Sequence, residues 1–306
     1  LEKIMTIANG SRHSMAYTLE SVYGTTPTSP VFKMIRHNGT TLALSKSVYT
    51  SAELRSDRQI TDMRHGTKKI GGNITSEFSG EAFDDLIQAA MGGTWTTGVL
   101  KAGTTRRSFT IERDFADIGQ YLRYTGVELD GFDIDVKAEG IVPIVFNVVG
   151  MDQSSGTAIL SGATYTPAPT NSPYDGFSGT IKEGGSVIAV LTEVKCTLAN
   201  NLAAIYVVGS AETLEPSIGK STVTGTVTAY FQDTTMLNKF VNETESSIEF
   251  TLTDGTNSYD ILLPRVKYTG APPNVSSDKP ITLAMPFSAL LDSVTGTNIE
   301  ITRTPA

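Results

Sequence analysis

The sequence predicts a mainly β protein of two tandem domains, each with one short flanking α-helix. Three observations predict it. Several segments alternate apolar and polar residues, the period of a strand with one buried face. Helical spacing of apolar residues is confined to short stretches, the clearest at residues 83–90. The order strand, helix, strand of the first half returns in the second, and similarity in fixed order marks an internal repeat.

Taken in order, residues 1–31 read as an extended N-terminal arm. Thr, Ser, Pro and Gly surround single apolar anchors (Leu19, Val22, Tyr23), and Pro27 and Pro30 discourage helix. The first domain spans 32–150. Leu42, Leu44, Lys46 and Val48 alternate as a strand. A charged loop follows, with Glu53, Arg55, Asp57, Arg58, Asp62, Arg64, Lys68 and Lys69. Ile70, Gly72, Ile74, Ser76 and Phe78 then occupy alternate positions of a second strand, expected to pair back on the first.

Phe83, Leu86, Ile87 and Ala90 form one helical stripe, the face expected to meet the core. Ser79 or Gly80 is suited to start this helix, Glu81, Asp84 and Asp85 suit its positive end, and Gly92 and Gly93 end it. Trp95 is expected to cap the core. Beyond a turn-rich stretch, residues 108–115 and 119–150 supply further strands, with Pro143 indicating an edge or a bulge. Residues 151–179, rich in Ser, Thr, Gly and Pro, read as a linker or outer insertion. The second domain is 180–306.

The repeat can be aligned residue by residue. Ile70, Gly72, Ile74 and Phe78 meet Val223, Gly225, Val227 and Phe231 at one offset. The helical stripe meets Leu237, Phe240 and Val241, the expected core face of a second helix. Arg123-Tyr124-Thr125-Gly126 is matched with Lys267-Tyr268-Thr269-Gly270. The second loop, with Glu212, Glu215 and Lys220, reads as shorter and more acidic than the first.

Composition narrows the function. The net charge is -8; residues 1–150 hold 16 basic and 17 acidic side chains, and residues 151–306 hold 8 and 15. An acidic, basic-poor chain is ill suited to gripping nucleic acid. One cysteine, Cys196, rules out an internal disulfide and fits a reducing cytoplasm. No apolar run reaches the length of a membrane span.

No motif carries chemistry. Gly219-Lys220-Ser221 ends like a phosphate-binding loop, but Leu214 stands where its first glycine belongs and a strand follows. Asp130, Asp133 and Asp135 alternate along a strand, and no glutamate completes a calcium loop. Cys196 reads as a small buried residue, and His13, His37 and His65 lie in arm or loop contexts. No enzyme, cofactor or metal is expected. The charged loop of residues 53–69 mixes signs, which favours a protein contact over nucleic acid.

The segments LESVYGTTPTSP, RSDRQITDMRHGTKKIGGNITSEFSGEAFDDLIQAAMGG and RSFTIERDF resemble the major tail tube proteins of long-tailed, non-contractile bacteriophages, best over about residues 17–150. The resemblance implies a β-sandwich or split-barrel fold with a flanking helix, and stacked rings around a lumen that passes genomic DNA without specific binding. It places the protein in the virion tail, assembled in the host cytoplasm with partners such as tape measure and tail terminator proteins. It also implies that loop 53–69 touches a neighbouring ring. Single-domain members form six-subunit rings, so two domains imply a homotrimer with pseudo-sixfold symmetry, with a homohexamer as the alternative. The second functional class is a carbohydrate-binding or adhesin-type β-sandwich. It wants clustered exposed aromatics, and there is one tryptophan.

Overall fold

The computed structural model describes residues 7–275, 278 and 280–305, so the first six residues of the expected arm lie outside the description. The chain is mainly β. Its first half contains β1 (His13–Leu19), β2 (Val31–Ile35), β3 (Gly39–Thr40), β4 (Ala43–Thr50), β5 (Met63–Glu77), α1 (Asp84–Met91), β6 (Val99–Lys101), β7 (Phe109–Phe115), β8 (Gln120–Lys137) and β9 (Pro143–Gly150). Next come β10 (Asp152–Gly156) and β11 (Thr164–Thr166). The second half contains β12 (Thr180–Glu183), β13 (Ser186–Val187), β14 (Leu191–Ala199), β15 (Thr222–Tyr230), α2 (Thr235–Val241), β16 (Ser246–Thr253), β17 (Ser258–Tyr268), β18 (Pro273–Asn274), β19 (Thr282–Ala289) and β20 (Glu300–Thr304).

One antiparallel ladder runs through both halves in the order β3/β4, β5, β9, β8, β14, β15, β19, β18. The long strand β8 serves two ladders. Its first part pairs with β7 and β10, and its second part with β9 and β14. Alternation explains the core: Ile70, Ile74 and Phe78 on β5, Phe132 and Ile134 on β8, and Ile144 and Phe146 on β9 are all buried. Helix α1 lies over this face, with Phe83, Leu86, Ile87 and Ala90 buried and Phe83 packed on Phe146 at 5.7 Å between ring centroids.

The second half copies the first in register. Ile70 opposes Gly150 and Ile74 opposes Phe146; Val223 opposes Ala289 and Val227 opposes Met285. The bulge between Phe109 and Ile111, opposite β8, returns between Ser246 and Ile248, opposite β17. The glycines match as well. A Cβ at Gly72 would lie 2.6 Å from the carbonyl oxygen of Thr41, and one at Gly225 would lie 2.0 Å from that of Lys195, the aligned position. Both positions admit no side chain because a strand backbone passes over them.

The ladder corrects the sequence reading in four places. His13–Leu19, assigned to the arm, is a strand held between β2 and β7, with Met15, Ala16 and Tyr17 buried. Its copy is β12, which pairs with β16 as β1 pairs with β7. The segment 151–179 is packed structure: β10 extends the β8 ladder and β11 runs parallel to β2, both in the first half, and Tyr174 is fully buried between Phe78 of the first half and Tyr259 of the second. Pro143 opens β9, a central strand, and the adjacent bulge lies in β8 between Leu129 and Gly131. The Tyr-Thr-Gly match is out of register. Leu129 opposes Val148 and Tyr268 opposes Phe287, which aligns Tyr268 with Leu129 and not with Tyr124.

Candidate assembly surface

Residues 51–62 form the tip of the β4–β5 hairpin, and every residue of the tip is exposed. Its charges largely pair among themselves. Arg55 donates from Nε and Nη2 to Asp57 at 2.8–3.2 Å, which holds that carboxyl below its usual range, and Arg64 lies 3.5 Å from Asp62. Among the described residues, Glu53, Arg58 and Lys69 have no side-chain partner. Lys68 differs. Its ammonium contacts Asp152 at 2.8 Å and Glu212 at 3.2 Å, hydrogen bonds that raise its pKa, so it is engaged within its own chain. Mixed charge drew attention to this loop in the sequence. The apolar side chains exposed on it did not: Tyr49, Leu54, Ile60 and Met63, with Leu54 at 98% exposure. Their signal is the absence of any strand or helix period that would turn them inward.

The corresponding loop of the second half, residues 200–221, is not short. Twenty-four residues separate Leu198 from Val223, against 25 between Leu44 and Ile70. It lies folded back on the first half. The Lys68 N–H donates to Ala211 at 2.7 Å, the Tyr206 hydroxyl donates to the Lys68 carbonyl at 2.8 Å, and Asn200 donates to the Ala90 carbonyl at 2.7 Å. Arg106 joins the buried Glu128 at 2.8 Å to Glu215 at 3.2 Å and donates to the Pro216 carbonyl. Burial pushes the Glu128 carboxyl up, against the pull of Arg106.

The two helices differ in the same sense. The stripe expected on α2 is only partly buried: Leu237 and Phe240 pack on the core, but Val241 is 63% exposed. Its aligned partner Ile87 is fully buried. Helix α1 begins at Asp84, after the expected cap positions, and ends on Gly92 in the left-handed conformation. Trp95 covers the core from its indole, which donates to the Asp84 carbonyl at 3.2 Å, with Arg303 stacked 4.6 Å from the ring.

The residues set aside in the sequence have structural partners. Asp133 accepts from Thr197 and Asn147, Asp135 pairs with Lys137, and Asp130 accepts from the Leu202 N–H. Burial pushes the Cys196 thiol up to about 12, with Asp133 adding to it. Gly219-Lys220-Ser221 leads directly into β15.

The ladder leaves strand edges at both of its ends. Among the described residues, β3 and β4 pair only with β5, and β18 pairs only with β19. The ladder thus ends in two edges with no partner strand, although the Leu42 carbonyl on the first already accepts from Arg113 at 2.8 Å and from the Tyr124 hydroxyl at 3.3 Å; such edges must be covered, guarded or paired. The family model for phage tail tube proteins matches residues 10–289. No curated protein matches the chain.

Proposed function

The chain belongs to the phage tail tube protein family and is a structural component of the phage tail; from that premise we propose that three copies close into one ring of six repeats, and that such rings stack into the tube. The observation that carries this reading is the repeat itself. Two units with the same strand registers are joined edge to edge through β8 and β14. Each repeat fills one position of a wall that one-repeat relatives build from six chains. Segment 151–179 spans the repeats as packed structure and not as a flexible coil.

The exposed hairpin tip joins successive rings. Tyr49, Leu54, Ile60 and Met63 supply area, while Arg58, exposed and without a side-chain partner among the described residues, supplies charge. The lumen is neutral or negative, since each contact that neutralises a phosphate would retard the passing DNA. Tape measure and tail terminator proteins meet the ends of the tube, assembly takes place in the host cytoplasm, and the role involves no catalysis. The rotational symmetry of tube cross-sections in electron micrographs tests the reading. Threefold symmetry with a pseudo-sixfold wall is expected; true sixfold symmetry with a whole chain per position would refute it. Changing Arg55, Arg58 and Arg64 to Glu should leave a folded chain that forms rings but short or no tubes, and tubes of normal length from that variant would remove the hairpin from the ring contact.

A further inference from the structure

The two free edges of the ladder are copies of the two edges that the chain has already joined. Within the chain, β14 pairs with β8 such that Val194 opposes Val136, Cys196 opposes Ile134 and Leu198 opposes Phe132. All six side chains are buried, at 0–3% exposure. The registers carry each strand onto its copy. Leu198 opposes Val223 as Leu44 opposes Ile70, and Val194 opposes Val227 as Thr40 opposes Ile74. Strands β3 and β4 are therefore the copy of β14. On the other side, Ile134 opposes Ile144 as Pro273 opposes Leu283, so residues 270–275 are the copy of the second part of β8.

We infer that residues 39–45 of one chain pair antiparallel with residues 270–275 of the next, in the register of the internal joint. Thr40 then opposes Val275, Leu42 opposes Pro273 and Leu44 opposes Ala271. The occupant of each edge is a second copy of this chain. This rests on the ring reading above and gives it a specific contact.

Two observations at aligned positions support the register. The first is a glycine. A Cβ at Gly131 would lie 1.8 Å from the carbonyl oxygen of Leu198, so the passing β14 backbone requires glycine there. The copy of Gly131 is Gly270. In the single chain a Cβ at Gly270 would meet nothing nearer than the Pro286 ring at 3.4 Å, an ordinary contact. Nothing among the described residues requires glycine at 270; the carbonyl of Leu44 from a neighbouring chain would. The second is burial. Val136 is 3% exposed and its copy Val275 is 70% exposed, an apolar side chain standing where the partner strand is missing.

The copies are not identical, and the difference has a physical sense. Consecutive residues of a strand aim their N–H groups to opposite sides. Of Pro272 and Pro273, one therefore removes a donor from the free edge, whichever way the strand is turned. Proline on an edge discourages indiscriminate strand addition. The joint between chains is the weaker copy, and a head-to-tail contact of this kind closes a ring or propagates without end according to its rotation.

Cysteines at Thr40 and Val275 test the register. Cys196 is buried and its thiol is pushed up, so background reaction is small. Oxidation, or a short bis-maleimide, applied to assembled T40C/V275C protein should give covalent species that end at three chains on a denaturing gel. The V48C/V275C pair should give none, because Val48 lies about 26 Å further along the edge at roughly 3.3 Å per residue. Assembled tubes without T40C/V275C cross-links, or with equal V48C/V275C cross-links, overturn the register while leaving the tube reading intact. Protein that forms neither rings nor tubes under any condition overturns the tube reading, and the joint with it. Gly270→Val supplies the second arm. It should leave the thermal midpoint of the isolated chain within about 2 °C of the parent and reduce assembly at least tenfold; unaltered assembly counts against the joint.

Discussion

At the scale of single residues, the histidines show what sequence spacing conceals. His13 and His37 stand 24 positions apart in the sequence, in arm and loop contexts, with nothing to connect them. The β1–β2 pairing brings their rings to 2.8 Å between His13 Nδ1 and His37 Nε2. Arg113 Nε donates to His13 Nε2 at 3.0 Å, so His13 carries its proton on Nδ1 and donates it to His37, whose own Nδ1 faces the Ile35 carbonyl at 3.3 Å. Burial first, then the Arg113 and His37 charges, hold His13 down to about 4 against an ordinary 6.5. The fold thus favours the neutral ring. The stability this gives is complete above pH 6.5 and is lost as pH falls from 6.5 toward 4, where the unfolded chain binds the proton first. The rings are partly open to solvent, so the loss is about 1 kcal/mol after screening. Urea unfolding at pH 7.5 and 5.0 should show the parent losing about that much more than His13→Gln.

A second residue-scale prediction concerns Glu112, which is 2% exposed and joins Arg123 at 2.6 Å while accepting from the Tyr165 hydroxyl at 2.5 Å. Glu112→Ala strands a buried guanidinium and should cost about 3–5 kcal/mol, with Glu112→Gln costing less. A loss under 1 kcal/mol in denaturant titrations would show that Arg123 finds another partner.

At the scale of elements, the sequence was legible where one period governs one face. The stripe of α1 and the alternation of β5 followed directly from spacing, because both elements bury a single side. Two things were hidden. Whether a loop folds back or stands out depends on partners distant in sequence: loop 200–221 has Lys68, Arg106 and Ala90 to bind, and the tip of the β4–β5 hairpin, on a span of chain of nearly equal length, meets no such surface among the described residues. The order of strands in an alignment also tolerates slippage, so the Tyr-Thr-Gly segments match in sequence while lying five residues out of register. The helices give a test. Ile87→Ala should cost about 2–5 kcal/mol, the range for a buried aliphatic side chain. Val241→Ala, at an exposed copy of that site, should cost less than about 0.5 kcal/mol in the isolated chain. Equal losses would mean that α2 is as tightly packed as α1.

At the scale of the whole molecule, the sequence reads as two domains connected by a linker, whereas in the structure two repeats share one ladder. Chains of this length usually divide into independent cores. Here three kinds of contact oppose that division. The β8–β14 joint buries six apolar side chains, β20 of the second repeat pairs with β6 of the first, and Tyr259 of the second repeat contacts Phe78 and hydrogen-bonds to Asp84 of the first. Opening the joint would expose Phe132, Ile134 and Leu198 together, and a fully buried apolar side chain contributes about 1.5–3 kcal/mol. A half-unfolded intermediate would lose several such contributions without the entropy gained by the remaining half, so its population should be small. The isolated chain is accordingly expected to unfold in a single calorimetric transition, with a van't Hoff enthalpy close to the calorimetric one. Breaking the joint alone separates the repeats: Gly131→Val forces the β14 backbone away and should resolve the single peak into two. Two transitions in the parent protein would show that the shared ladder does not couple the repeats. The ring would then have six mechanically equivalent joints instead of three rigid ones and three weaker ones.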